Sequence, residues 1–342
     1  ILEHIGLSQI NGSLVVLDDV KGVQYDEMVE LHLDDGSTRV GRVVEVEGDR
    51  CIIQVFEGTR GLSLVNNRTV LTGHPMMMDL SPELPGRVLD GRGIIHPGWA
   101  ARPVQVYRRG DIKASPLRIK EWDFYQVSDR EKCLQFTFGH ASYAGQAGIM
   151  LFDFRNGKMI ADINKIIPFP FGRLHLPESA ETDSDITYDK QGVHLRFKTE
   201  GSTRFLSFSA PDFEANITLE RTMPFSAVVQ TPFRESPRMF YYNQKINCMT
   251  ARGRAVYKGQ AYTFGEDAFG LLDWGHGVWP YHNEWYWANG TAPVAGHLFG
   301  FNLGCGFGDT SKATENMLFY GGKVTKLGRV HFDLGTTYMK PW

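Results

Sequence analysis

Apolar residues along this chain recur in short runs and at every second position, which is the period of a strand and not of a helix. VELHLDDGSTRVGRVVEVEGDRCIIQVFEG (29–58) is a set of apolar runs broken by DDGS and EGDR. Both breaks are turn-forming, so the stretch predicts a hairpin or meander. RFLSFSAPDFEANITLERT (204–222) sets Ile217 and Leu219 between polar neighbours, and RAVYKGQAYTFG (254–265) reads as two short runs hinged at KGQ. The only helix the pattern predicts is a short one around Ser311–Leu318. With 37 glycines and turns spaced roughly every 8–12 residues, barrels or sandwiches are favoured over helical bundles.

The pattern also changes along the chain. Tyr25 and Phe56 are the only aromatic residues before Trp99, whereas aromatics are abundant afterwards. Between the two regions, PGRVLDGRGIIHPG (85–98) is rich in glycine and proline and poor in large apolar residues, as a domain boundary would be. A length of 342 residues suits about two domains.

Composition excludes several classes. The net charge of −3 gives no basic footprint for a nucleic acid. No apolar run reaches the roughly 18 residues a spanning helix needs. The four cysteines are scattered without a CxxC pair, so reduced thiols and a cytoplasmic location are expected. The opening ILEHIGLSQING has no basic or apolar leader region and no Met, so it reads as the start of a fragment. HExxH, GxSxG and GxxxxGK[ST] are all absent, and neither a metal nor a cofactor is expected.

The densest chemistry lies in DWGHGVWPYHNEWYW (273–287), which holds four of the seven tryptophans. On a strand, Trp285 and Trp287 share one face, and Trp274 and His276 share another with Asp273 opposite. Such spacing fits an aromatic wall of Trp274, Trp279, Tyr281, Trp285 and Trp287 around a cavity. It fits a tight barrel core equally well, with Gly275 and Gly277 allowing close strand contact. Aromatic faces suit an apolar ligand or a transient carbocation. Asp273 or Glu284, beside His276, are candidate acids where burial favours the protonated carboxyl. FYYNQKINCM (240–249) turns Tyr241, Asn243, Lys245 and Asn247 one way and Tyr242, Gln244 and Ile246 the other. Tyr242 and Asn243 are candidate ligand contacts from that stretch, and solvent exposure is the competing reading. Asn302, Asp309, Glu315 and Asn316 supply the remaining polar candidates, against a simple strand followed by an Asp-capped turn.

Two family resemblances cover the two regions. GLSQINGSLVVLDDV, VVEVEGDRCIIQVFEGTRGLSL and LTGHPMMMDLSPELPGRVLDGRG resemble the N-terminal β-barrel of the noncatalytic B subunit (beta chain) of V-type ATP synthases. The resemblance implies a small six-stranded barrel over residues 1–93, with A and B subunits as partners and no bound nucleotide. It also implies a position peripheral to a membrane within such a complex. The nucleotide-binding domain that would follow is missing from this sequence, so ATP turnover is not expected.

From Ile94, HPGWAARP, IKEWDFY, FYYNQKINCM, FGLLDWGHGVWPY, EWYWANG and FGFNLGCGFGDTSKATENMLFY resemble the domain of unknown function 2804 family. That family is in turn distantly similar to paired lipocalin-like barrels that include carotenoid hydratases. At His276 the resemblance leads one to expect Arg. Family members continue with further strands where this chain stops at YMKPW. The expectation is therefore an all-β fusion: a small barrel over 1–93, then an incomplete pair of lipocalin-like antiparallel barrels over 94–342. Three functions stay open. The large domain binds a lipid or isoprenoid-like molecule, or hydrates or isomerises an isoprenoid-like alkene, or the chain is a structural piece of an ATP synthase.

Overall fold

A computed structural model describes residues 2–56, 58–75, 86–141 and 143–333. The chain divides into two compact units, Ile1–Glu83 and Leu84–Trp342. Almost every regular element is a strand. Among the described residues the helical content is a single 3-10 turn at Arg109–Asp111, and no helix is long and apolar enough to cross a membrane. The segment YMKPW, on which the expectation of an incomplete barrel rests, lies outside the described residues.

In the first unit, seven antiparallel strands form one sheet, one more than the six-stranded type. In spatial order they are Leu2–Ile5, Arg68–Pro75, Glu27–His32, Thr38–Glu47, Arg50–Val55, Leu14–Leu17 and Gln9–Asn11. Alternation directs Val15, Leu17, Val29, Leu31, Val43, Ile53 and Leu71 into a common core. The DDGS break is a turn in which the Asp35 carboxylate accepts from the Ser37 amide at 2.8 Å. The EGDR break is a tight hairpin joining Thr38–Glu47 to Arg50–Val55.

The second unit starts at Leu84. Val88 and Leu89 are already in its core. Gly93, at φ +130°, lies so close to the Ser236–Tyr257 strand that a Cβ would fall on the Pro237 carbonyl. Only glycine fits that approach.

A thirteen-stranded sheet dominates this unit. One meander runs Lys120–Ser128, Lys132–Ala141, Ala144–Asp153, Lys158–Pro168. A second runs Ser184–Lys190, Val193–Glu200, Thr203–Ala210, Phe213–Glu220. The strands Ser236–Tyr257 and Phe269–Val278 lie side by side between them. The two meanders curl as half-barrels over one shared core. Tyr125, Phe136 and Phe138 of the first pack edge-on to Phe197 of the second, at 5.0, 6.1 and 6.4 Å. Alternation is strict in Val193–Glu200, where Val193, Leu195, Phe197 and Thr199 are buried and His194, Arg196 and Glu200 are exposed. A separate four-stranded sheet follows: Tyr286–Val294, His297–Cys305, Met317–Tyr320 and Lys323–Lys326.

The 22-residue strand Ser236–Tyr257 carries a bulge between Ile246 and Met249, with Cys248 at φ +60°. The extra residue reverses the parity of the strand. Ile246 and Met249 therefore both enter the shared core, while Cys248 packs with Met317 and Phe319.

KGQ is the hairpin turn expected, pairing Gly253–Tyr257 with Gln260–Phe264. The helix expected around Ser311–Leu318 is not formed. Asp309 instead accepts from the amide and hydroxyl of Ser311, at 3.2 and 2.7 Å, and Met317–Tyr320 pairs with Phe299–Asn302. Side chains that bond their own backbone compete with helix hydrogen bonds, and a strand edge was available for pairing.

Candidate functional site

IKEWDFY explains how one strand serves two environments. Within Lys120–Ser128, the residues Glu121, Asp123, Tyr125 and Val127 are buried, and Lys120, Trp122, Phe124 and Gln126 are half-buried on the other face. That second face floors a cleft of about 500 Å³ in the large unit. Trp122, Phe124, Tyr241, Trp279, Trp285, Trp287 and Phe307 give it an aromatic lining. Trp122 lies across the neighbouring strand at Gly275, where any Cβ would overlap its ring. Trp279 meets it edge-on at 5.5 Å, and Phe307 meets both Trp279 and Trp285, at 5.3 and 5.0 Å. Edge-to-face contacts of this kind fix ring orientation beyond simple burial.

A buried charge set sits at the base. Lys245 Nζ lies 3.0 Å from Asp273 Oδ2 and 3.1 Å from Glu315 Oε2, and 4.5 Å over the Trp287 ring. Burial opposes the ammonium, but Asp273 and Glu315 outweigh it and hold Lys245 above the ordinary lysine value. Trp122 Nε1 and Asn243 Nδ2 donate to Asp273 Oδ1 at 3.1 and 2.5 Å. Asn302 Nδ2 donates to Glu315 Oε2 at 3.2 Å while its Oδ1 accepts from Trp287 Nε1 at 2.7 Å. The floor charges are thus fixed by the same indoles that line the wall. Burial, with Glu315 and Asp273 adding, pushes the Tyr241 hydroxyl well above the usual tyrosine range.

A second buried polar cluster surrounds Glu121. Arg109 Nε donates to Glu121 Oε2 at 2.9 Å, His140 Nε2 lies 2.6 Å from the same oxygen, and His276 Nδ1 lies 3.2 Å from Oε1. Burial favours the neutral carboxyl, but bonds from His140, His276 and Arg109 outweigh it and hold Glu121 far below the usual carboxylate range. His276 is stacked on Tyr107 at 4.5 Å and packs edge-on to Trp274 at 4.4 Å.

The structure therefore divides the sequence candidates. Asp273, Trp279, Trp285, Trp287 and Glu315 come together at the cleft. Asn243 and Asn302 are fully buried behind it and hold Asp273 and Glu315. Trp274, His276 and Tyr242 point to the opposite face, into or beside the shared core. Asn316 is structural, accepting from the Gly304 amide and donating to the Gly328 carbonyl. Asp309 caps its turn and pairs with Arg234 at 3.3 Å. Glu284 accepts from the Tyr286 hydroxyl at an exposed position, and Tyr281 is 79% exposed beneath the Arg118 guanidinium. Trp122, Phe124, Lys120 and Phe307 are not among the sequence candidates, and Lys245 and Tyr241 enter there only as members of a face that could equally meet solvent. Alternation in IKEWDFY, read as two faces, was the signal for the first three.

An antiparallel all-β unit with two curled meanders over one core is of the lipocalin-like class. The chain belongs to the family described as domain of unknown function (DUF2804), which matches residues 81–342, well over half of its length. Residues 7–72 match the ATP synthase alpha/beta family, beta-barrel domain. Over 101 residues the chain is 46% identical to V-type ATP synthase beta chain 2 of Clostridium tetani, covering 28% of this chain and 22% of that protein. Over 115 residues it is 47% identical to the V-type ATP synthase beta chain of Thermotoga neapolitana, covering 34% and 25%. The chain thus spans a quarter or less of the length of these relatives. Among solved structures it is similar to CghA (TM-score 0.45, 13% identity, 73% of this chain and 72% of that one). It is also similar to kievitone hydratase from Nectria haematococca (TM-score 0.44, 8% identity, 71% and 73%).

Proposed function

We propose that the large unit binds an apolar small molecule of lipid or isoprenoid type in the aromatic cleft. The observation that carries this reading is a cleft of about 500 Å³ lined by four indoles, two of them hydrogen-bonded to Asp273 and Asn302 and two held edge-on by neighbouring rings. That volume is in the range of small-molecule sites, which are mostly apolar with a few fixed polar groups. Hydration or isomerisation of an alkene is less well supported. Asp273, the candidate acid, is the acceptor of donors from Trp122, Asn243 and Lys245, which suits a positioning group better than a proton donor.

Retinol, as an isoprenoid probe, should quench tryptophan fluorescence saturably, with dissociation constants in the micromolar range. Combined Trp279→Ala and Trp285→Ala substitution should weaken binding by about tenfold or more, since each lost aromatic contact is worth on the order of 0.5–1.5 kcal/mol. No saturable quenching by retinol or by its acid, retinoic acid, rejects the reading.

For the first unit, we propose docking among V-type ATP synthase subunits, on the strength of its 46–47% identity to two beta chains. Ile5 and Val65 are 74% and 73% exposed, and Leu64, whose carbonyl accepts from the Leu7 amide, is 51% exposed. Together they form an apolar edge suited to a protein neighbour. The full chain should co-elute with a V-type A subunit, and Ile5→Glu with Val65→Glu should abolish co-elution. Absence of any association with the unsubstituted chain rejects the docking.

A further inference from the structure

Resting on the apolar-ligand reading, we infer that the ligand is an acid: its apolar body lies on the indoles and its carboxylate is held by Lys120. Besides Tyr241, six acidic or basic side chains line the cleft: Lys120, Glu121, His140, Lys245, Asp273 and Glu315. Five of them have their charge partners within the protein. Lys245 is shared between Asp273 and Glu315. Glu121 is held by Arg109 and lies against His140 and His276. Lys120 alone has no carboxylate among the described residues. Its Nζ lies instead over the Trp279 ring, 4.5 Å from the centroid.

The surroundings of Lys120 set it apart from the other cations of the cleft. The neighbouring cation, Arg118, is already engaged: Nη2 donates to the Trp279 carbonyl at 2.7 Å, and its guanidinium lies 4.0 Å over the Tyr281 ring. Both cations therefore converge on the Trp279 segment. Burial first, then repulsion from Arg118, pushes the Lys120 ammonium down to about 8. An anion arriving there would relieve the repulsion and gain a charge-assisted bond beside an apolar wall. One uncommitted ammonium matches a monoanion. A phosphate dianion would ask for further donors, and Arg118 is not among the residues that line the cleft. The chemistry thus points to a carboxylate on an apolar chain or isoprenoid skeleton.

The test compares retinoic acid with retinol, which share a skeleton and differ at the head. At pH 7 the unsubstituted chain should bind the acid at least tenfold more tightly than the alcohol. Lys120→Met should remove that preference and Lys120→Arg should retain it. Without any substitution, the preference should shrink as pH is raised from 7 towards 10, because the ammonium is lost while the ligand's charge is unchanged. Equal affinity of the unsubstituted chain for acid and alcohol overturns the assignment of the head group and leaves the apolar cleft standing. A preference that survives in Lys120→Met assigns the anion to another group and also overturns it. Failure of both probes to bind removes this inference together with the reading on which it rests.

Discussion

Replacing Lys245 with methionine is expected to destabilise the large unit by about 3–5 kcal/mol, the range for breaking a buried ion pair from one side. The size follows from what is left behind. Lys245 is 3% exposed and stands between Asp273 and Glu315 at 3.0 and 3.1 Å. Methionine matches its length and packs on Trp287, so little volume is lost. The cost is electrostatic: two buried carboxylates would face one another without their cation.

Lysine itself predicts the alkaline limb of the pH profile in the unsubstituted chain. Its folded-state value lies above the ordinary 10.5. Its contribution is therefore fully present below 10.5 and lost as pH rises through the higher folded value. Adding Asp273→Asn and Glu315→Gln to Lys245→Met should recover most of the loss, because a fully neutral set leaves no charge unpaired. Chemical denaturation of the unsubstituted chain and of the single and triple variants at pH 8, with the unsubstituted chain followed on to about pH 12, reads all of this. A single variant as stable as the unsubstituted chain at pH 8 would show that solvent reaches the cluster.

The strand content of this fold was legible because buried and exposed positions alternate so regularly. Val193–Glu200 and Lys120–Ser128 announce themselves by period alone. The first part of the aromatic segment was also recognisable as a strand with two unlike faces, since Asp273 does turn away from Trp274 and His276. That strand ends at Val278, however; Trp279 and Trp285 lie in the connection, and Tyr286 opens a strand of another sheet. What local pattern could not give was which face meets which partner. Trp274 and Trp287 look equivalent in sequence, yet one lies in the shared core and the other in the cleft. The difference is decided by Tyr107 and Tyr242 on one side and by Lys245 and Asn302 on the other, none of them within the same segment of the chain. Lys245 was visible only as part of a polar face that could equally have met solvent. Its two carboxylates lie 28 and 70 positions further along the sequence, one on a neighbouring strand and one in the turn segment whose pattern suggests a helix.

Asparagine in place of Asp123 should make the large unit more stable above neutral pH, by roughly 4 kcal/mol at most. Asp123 is 3% exposed, and its Oδ1 has no hydrogen-bond partner among the described residues. Burial pushes its carboxyl up to about 7; Asp273 and Glu121 add to that effect, and Arg204 offsets part of it. The folded-state value thus lies above the ordinary 3.8, the reverse of the usual paired carboxylate. Its contribution is favourable below about 3.8 and is lost as pH rises through about 7, where the folded chain must either hold a proton or bury a charge. Three pH units at about 1.4 kcal/mol each set the upper limit. Asparagine keeps the shape and carries no charge, so stability should stop falling between pH 4 and 7 and should exceed that of the unsubstituted chain at pH 8. The opposite result, a variant less stable at pH 8, would make Asp123 the working counter-ion of Arg204. That guanidinium is 1% exposed, and Nη2 donates to the Ala180 carbonyl at 2.7 Å while Nε and Nη1 have no partner among the described residues. Thermal melts of the two chains across pH 4–9 separate the cases by the sign of the difference at the alkaline end.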